Sequence, residues 1–205
     1  MLWSEFIQSM LGDKSAMLLS TATTGVNESD CLLAVSYVIA GAENSRVQTL
    51  FHNVPASCAQ NGAQYHRITV HTLSQRGLTT NDFVQEVNHL FATHVPFSYN
   101  PSFQKMALNE MVDCDPCSVV DLPLLLKLAR SHLPVSAEDL DSLFTFKQLE
   151  DFAHKKVGAS PPFKALMRMC NIVADPYTDE LPVVTNVEIL ERFWEQLGEL
   201  EMVTY

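Results

Sequence analysis

The stretch MLLSTATTGVNESDCLLAVSYV, Met17 to Val38, decides the fold. Its first part, Met17–Thr21, is a short apolar run and reads as a buried strand. The Thr23-Thr24-Gly25 triplet marks a turn. Cys31–Ala40 leaves that turn as a second strand rich in Val, Leu, Ile and Tyr. Ser20 and Ala22, both small and uncharged, stand where the first strand runs into the corner.

Outward from this corner the pattern stays regular. Upstream, Leu2, Trp3, Phe6, Ile7, Met10 and Leu11 recur at helical spacing, so an amphipathic helix comes first. Downstream, Ser45–Val54 alternates and reads as a third strand, which makes an antiparallel meander. From about Thr79 the period changes. Phe83, Val84, Val87, Leu90 and Phe91 share one helical face behind cap residues. VPFSYN (95–100) is a short strand, PSFQKMALNEMV (101–112) a helix with Pro101 in its first turn, and SVVDL (118–122) a further short strand. LPLLLKLARSHL, FKQLEDFAHKKV, PPFKALMRMCNIVAD and TNVEILERFWEQLGELE read as four more helices. The expected fold class is α/β, with a central mixed five-stranded sheet flanked by helices.

The bulk numbers fit that expectation. The chain has 205 residues, 47% hydrophobic and 18% charged, which describes a globular chain rather than a disordered one. Its net charge of -11 opposes general nucleic-acid binding, because phosphate neutralisation needs Lys and Arg. No apolar run approaches the roughly 18 residues of a membrane span. The N-terminus carries Glu5 and Asp13 and lacks the basic n-region of a signal peptide. Five irregularly spaced cysteines fit a reducing compartment, so the expected location is cytoplasmic.

Order and spacing together resemble the 3′–5′ exonucleases of the DNA polymerase III epsilon, proofreading-subunit type, the DEDDh branch of the RNase H-like fold. Their first motif is a strand ending in Asp-x-Glu-Thr-Thr-Gly; here the stretch is Ser20-Thr21-Ala22-Thr23-Thr24-Gly25. The second motif, His-Asn-x-x-Phe-Asp, matches Tyr99-Asn100-Pro101-Ser102-Phe103-Gln104 at a strand-to-helix junction. VVDLPLLLKLAR resembles the family's Asp-Thr-x-x-Leu-Ala-Arg segment. The last motif, His-x-Ala-x-x-Asp, is best matched by Phe163-Lys164-Ala165-Leu166-Met167-Arg168. The resemblance runs from about Met17 to Asp175 and implies an exonuclease-type sheet.

The departures concern chemistry. The family holds two divalent cations about 4 Å apart on four carboxylates and uses a histidine as general base. The matching positions here are Ser20, Ala22, Gln104, Phe163 and Arg168. Alanine and phenylalanine offer no ligand atom, a hydroxyl and an amide carbonyl are neutral, and a guanidinium repels metals. None of the seven histidines has an Asp five residues later, so a simple shift of alignment does not restore the last motif. The resemblance thus implies an exonuclease with every catalytic position substituted. No metal site and no cofactor are expected, with Mg²⁺ or Mn²⁺ entering only if the protein is an active exonuclease with non-standard ligands.

Other constellations are weaker. Cys114 and Cys117 form a single Cys-x-x-Cys in an acidic turn, without the second pair that structural zinc requires. Glu28 and Asp30 follow the Thr-Thr-Gly turn and read as solvated turn residues, and Asp175 and Asp179 as a helix end and loop. Trp3, Phe6, Phe193 and Trp194 read as packing residues. The last helix sets Val187, Leu190, Phe193, Trp194 and Leu197 against Glu188, Glu191, Glu195, Glu199 and Glu201, an outer layer with an acidic face. No Gly-x-Ser-x-Gly elbow or Gly-rich phosphate loop is present.

The expected function is that of a degenerate exonuclease acting as a binding or structural module. It forms one exonuclease-like domain over 1–205, with an N-terminal helix at 1–14, a family-like core at 17–175 and a C-terminal helix at 185–201. A protein partner is favoured. Residual binding of a nucleic-acid end would involve Thr24, Asn100, Lys164 and Arg168. No membrane partner is expected.

Overall fold

A computed structural model describes residues 1–26, 30–43, 45–109, 119–173 and 181–205. The chain opens with α1 (Trp3–Leu11), which buries Trp3, Phe6, Ile7 and Leu11 on one face. Three strands follow: β1 (Ser15–Thr23), β2 (Leu32–Ile39) and β3 (Gln48–His52). The short helices α2 (Ala56–Ala59), α3 (Ala63–His66) and α4 (Val70–Arg76) lead to β4 (Gly77–Leu78). Then come α5 (Thr80–Thr93), β5 (His94–Ser98), α6 (Pro101–Leu108), β6 (Val120–Asp121) and α7 (Leu122–Arg130). The chain ends with α8 (Ala137–Asp141), α9 (Phe146–Val157), α10 (Phe163–Met169) and α11 (Pro182–Glu199).

The sheet has six strands in the order β4-β3-β2-β1-β5-β6. β1 runs antiparallel to β2, with Leu19 opposite Tyr37, and parallel to β5, with Met17 beside Pro96. β2 and β3 complete the expected meander, with Ala34 opposite Phe51. The sheet is mixed, as expected, but has one strand more than the five expected. The addition is β4, two residues paired in parallel with β3 through Phe51 and Gly77. Two residues cannot display an alternating pattern, so periodicity does not reveal such a strand. The short helices α2, α3, α4 and α8 escape for the same reason, since none completes two full turns.

Both faces of the sheet are covered, which explains why β1 reads as an apolar run rather than an alternation. Ala16 and Leu18 join one apolar cluster while Met17 and Leu19 join another, the period-two split of a strand between two layers. The first cluster is closed by α1, α7, α9 and α11, which contribute Phe6, Leu125, Leu149 and Phe193. The second is closed by α5 through Phe83, Val87 and Leu90. Thr79 caps α5, its Oγ1 accepting from Asp82 N at 3.3 Å, and Thr145 caps α9 through Gln148 N at 3.2 Å. The terminal aromatic residues pack as expected. Trp3 and Phe6 meet edge-to-face, and Phe193 is fully buried.

Phe97 on β5 is a keystone of the first cluster. It has no exposed surface and meets Phe146 and Trp194 edge-on, with ring centroids 5.3 and 5.0 Å away. Phe97→Ala is expected to lower the unfolding free energy by about 3–5 kcal/mol in urea titration. A loss below about 1 kcal/mol would contradict this packing.

Candidate functional site

The Thr-Thr-Gly corner lies where the sheet changes from antiparallel to parallel pairing, at the carboxyl ends of β1 and β5. Open α/β sheets place ligand crevices at such switch points. Ser20 on β1 is fully buried, and Asn186 on α11 donates from Nδ2 to its Oγ at 3.4 Å. The same nitrogen donates to Tyr99 Oη at 3.0 Å, and the Tyr99 hydroxyl bonds Ser20. Burial holds the Tyr99 phenol above its usual pKa, with the Ser20 bond offsetting part of the rise, so the ring carries no charge near neutrality. Thr21 donates from Oγ1 to Gln104 Oε1 at 2.7 Å. Gln104 on α6 is wholly buried, and its Nε2 finds no hydrogen-bond partner among the described residues.

The turn beyond is held locally. Thr24 N donates to Cys31 O at 3.0 Å, and Cys31 N returns a bond to Thr24 Oγ1 at 2.9 Å. Thr24 Oγ1 also donates to Asp30 Oδ1 at 3.3 Å, so Asp30 serves the turn. Gly62, with φ +68°, presses against the corner from the α2–α3 side, where a Cβ would sit 2.5 Å from Thr24 O. Asn100 caps α6 in the left-handed region at φ 48°, which asparagine tolerates better than most residues, and its carbonyl accepts from Phe103 N and Gln104 N.

These residues surround two cavities separated by aromatic rings. The first, about 240 Å³, opens beside the corner between Thr24, Val26, Tyr65 and Asn186. The second, about 670 Å³, lies beyond Tyr99 and Phe163, at the ends of β5 and β6. Phe163 stacks on Tyr99 with centroids 4.3 Å apart and meets Phe193 edge-on at 5.6 Å. Ser20, Ala22 and Gln104 therefore gather at one corner, and Phe163 joins it through Tyr99. Lys164 and Arg168 are exposed on α10 and line neither cavity.

The corner does not suit a hard divalent cation. Its side chains are Ser20, Thr21, Ala22, Gln104, Tyr99 and Asn186, all uncharged, and the side-chain oxygens of Ser20, Thr21, Gln104 and Tyr99 are engaged with one another or with Asn186 Nδ2. Mg²⁺ requires anionic oxygen ligands near octahedral positions. Among the described residues no three His, Cys, Asp or Glu side chains gather to hold a metal. Glu28, Cys114, Cys117, Asp175 and Asp179 lie outside the described residues.

Comparison with solved structures places the fold. The chain is similar to exonuclease I from Methylocaldum szegediense, at a TM-score of 0.54 and 17% identity over 89% of this chain and 40% of that one. It is similar to E. coli exonuclease I in complex with a dT13 oligonucleotide, at a TM-score of 0.55 and 14% identity over 90% and 40%. An exonuclease I/SSB-Ct complex matches at 0.54 and 13% identity, over 90% and 42%. The fold is the exonuclease, RNase H-like one. The chain spans about two fifths of the length of these neighbours. No family model matches the sequence, and no curated protein does.

The larger cavity holds polar residues that the sequence reading passed over. Asp121 ends β6 and caps α7, its Oδ1 accepting from Leu124 N and Ser160 Oγ, each at 3.0 Å. Its own backbone N donates to Glu150 Oε1 at 2.7 Å. Lys147, Glu150 and His154, spaced three and four apart, line the cavity from one face of α9. An Asp immediately before Leu-Pro was a legible cap signal. The pairing with Glu150 was not, because 29 residues separate the two. Asn186 gave no signal at all.

Burial raises the pKa of both acids. For Asp121 the Leu124 and Ser160 bonds, His154 and Lys105 pull the other way. For Glu150 the Asp121 N–H opposes burial, the Asp121 charge reinforces it, and Lys105 and Lys147 offset part. A carboxyl raised in the folded state binds protons more tightly there than when unfolded. Its ionisation therefore costs stability as pH rises from the ordinary carboxylate range through the raised value. Glu150→Gln removes the charge and keeps an acceptor for Asp121 N. The variant is expected to melt above the natural protein at about pH 8, with the gap closing towards about pH 4. A gap that does not change with pH would refute the assignment.

Proposed function

We propose that the protein is a non-hydrolytic binding module built on the exonuclease fold. One observation carries this reading: the polar side chains at the end of β1 are neutral and bond one another, with only Gln104 Nε2 left over among the described residues. Ser20, Tyr99 and Asn186 form one linked set, and Thr21 with Gln104 forms another. Two-metal hydrolysis needs the opposite, a ring of charged oxygens left open to cations. Phe163, stacked on Tyr99, offers no proton acceptor where a general base would be required.

The reading takes residues 1–205 as one exonuclease-like unit, supported by the packing of α11 on β1, α7 and α1. The net charge of -11 favours a protein partner with a basic surface. The exonuclease I neighbours include an oligonucleotide complex and an SSB-Ct complex, so both ligand classes have precedent among those proteins, of which this chain spans about two fifths. Strand-end binding, where it occurs, would use Thr24 at the small cavity, Asn100 at the large one, and Lys164 and Arg168 on the exposed side of α10.

The test is incubation with a 5′-labelled single-stranded oligonucleotide in Mg²⁺ and, separately, in Mn²⁺. The expected result is full-length oligonucleotide at the level of the protein-free control in both metals. Shortening that depends on metal and disappears with chelator would overturn the reading.

A further inference from the structure

The strand register brings two thiols together beside the corner. β2 and β3 pair antiparallel with Ala34 opposite Phe51. Continuing that ladder sets Cys31, just before β2, across from Val54, and α2 begins two residues later at Ala56. His52 Nδ1 bonds Leu32 O at 2.9 Å, so the two segments stay close past the ladder's end. Cys58 on α2 and Cys31 pack against the same apolar cluster, and the Cys58 thiol lies near enough to add to the rise of the Cys31 pKa. Both are free thiols and both are partly exposed.

We propose that Cys31 and Cys58 form a reversible disulfide that joins the two walls of the corner cavity. This goes beyond the binding function and does not depend on it, since neither thiol belongs to the Ser20–Gln104 corner. Cys31 is tied to one wall because its backbone carbonyl accepts from Thr24 N and its backbone N donates to Thr24 Oγ1. Cys58 is tied to the other, its carbonyl accepting from Asn61 N at 3.0 Å, next to the Gly62 that presses on Thr24. The lips of the cavity are Val26 and Tyr65, 75% and 76% exposed. A covalent bond between the walls fixes how far those lips part.

The oxidant is a small-molecule disulfide such as glutathione disulfide. One cysteine thiolate attacks a glutathione sulfur, the external S–S bond breaks, and one glutathione thiolate leaves and takes up a proton. The second cysteine thiolate then attacks the protein sulfur of the mixed disulfide and releases the second glutathione thiolate. Two protein thiols are oxidised to one disulfide, and one external disulfide is reduced to two thiols. Burial raises the Cys31 pKa, with the Cys58 hydrogen bond and charge and Asp30 adding to the rise, so exchange is slow at neutral pH and faster in mild alkali. In a reducing compartment such a bond forms transiently and reports redox state.

The experiment uses the full chain with Cys114→Ser and Cys117→Ser, treated with glutathione disulfide at about pH 8.5. Intact mass separates loss of two hydrogens from addition of glutathione, and peptide mapping identifies the joined cysteines. The expected product is a Cys31–Cys58 cross-linked peptide. With it comes a melting temperature raised by about 5–10 °C, reversed by dithiothreitol and absent in a further Cys58→Ser variant. Glutathione adducts without the cross-linked peptide, all three remaining thiols (Cys31, Cys58 and Cys170) still free after treatment, or an equal rise in the Cys58→Ser variant would each overturn the proposal.

Discussion

β1 is held between an antiparallel neighbour and a parallel one, and it is covered on both faces. That constraint governs the molecule. A strand buried on both sides can carry polar side chains at its end only if each finds a partner inside the protein, because water is not there to supply one. Ser20 and Thr21 point to opposite sides and find different partners, Asn186 on α11 and Gln104 on α6. The two helices are thereby fixed to the same strand end from opposite layers. The Gln104 amide nitrogen, left without a partner, is the one flaw in this corner among the described residues.

The corner and the fold tell different chemical stories. The six-stranded sheet, the Thr-Thr-Gly turn against Gly62 and the left-handed Asn100 cap are backbone features. They position side chains without depending on what those side chains are. The chemistry lies in the side chains themselves, and here they are hydroxyls, amides and a stacked pair of aromatic rings. The scaffold does not depend on them, because its stability resides in the two apolar layers, while charge at the strand end would add desolvation cost unless metal or protein repaid it.

Much of this was legible in the sequence. The helix over 146–157 and the apolar face of α5 follow from period, because each is long enough to show one, and the three-strand meander follows from two apolar runs and one alternation. The corner residues Ser20, Ala22 and Gln104 were found through the resemblance of Ser20–Gly25 and Tyr99–Gln104 to two exonuclease motifs. What escaped was either too short, as with β4 and α2 to α4, or made by contacts distant in sequence. Tyr99 meets Asn186 across 87 residues, and Asp121 meets Glu150 across 29. No local pattern encodes such pairs, since either partner alone is an ordinary polar residue. The acidic face of the last helix was legible too. Its apolar stripe of Val187, Leu190, Phe193 and Leu197 is buried, and the acids take the opposite side.

The central proposal is that the neutral, mutually bonded side chains at the strand end do not bind a divalent cation. Calorimetric titration of Mn²⁺ into the full chain tests it most directly. The account predicts heats no larger than those of dilution, unchanged in Ser20→Ala. Saturable binding that Ser20→Ala or Gln104→Ala abolishes would contradict it.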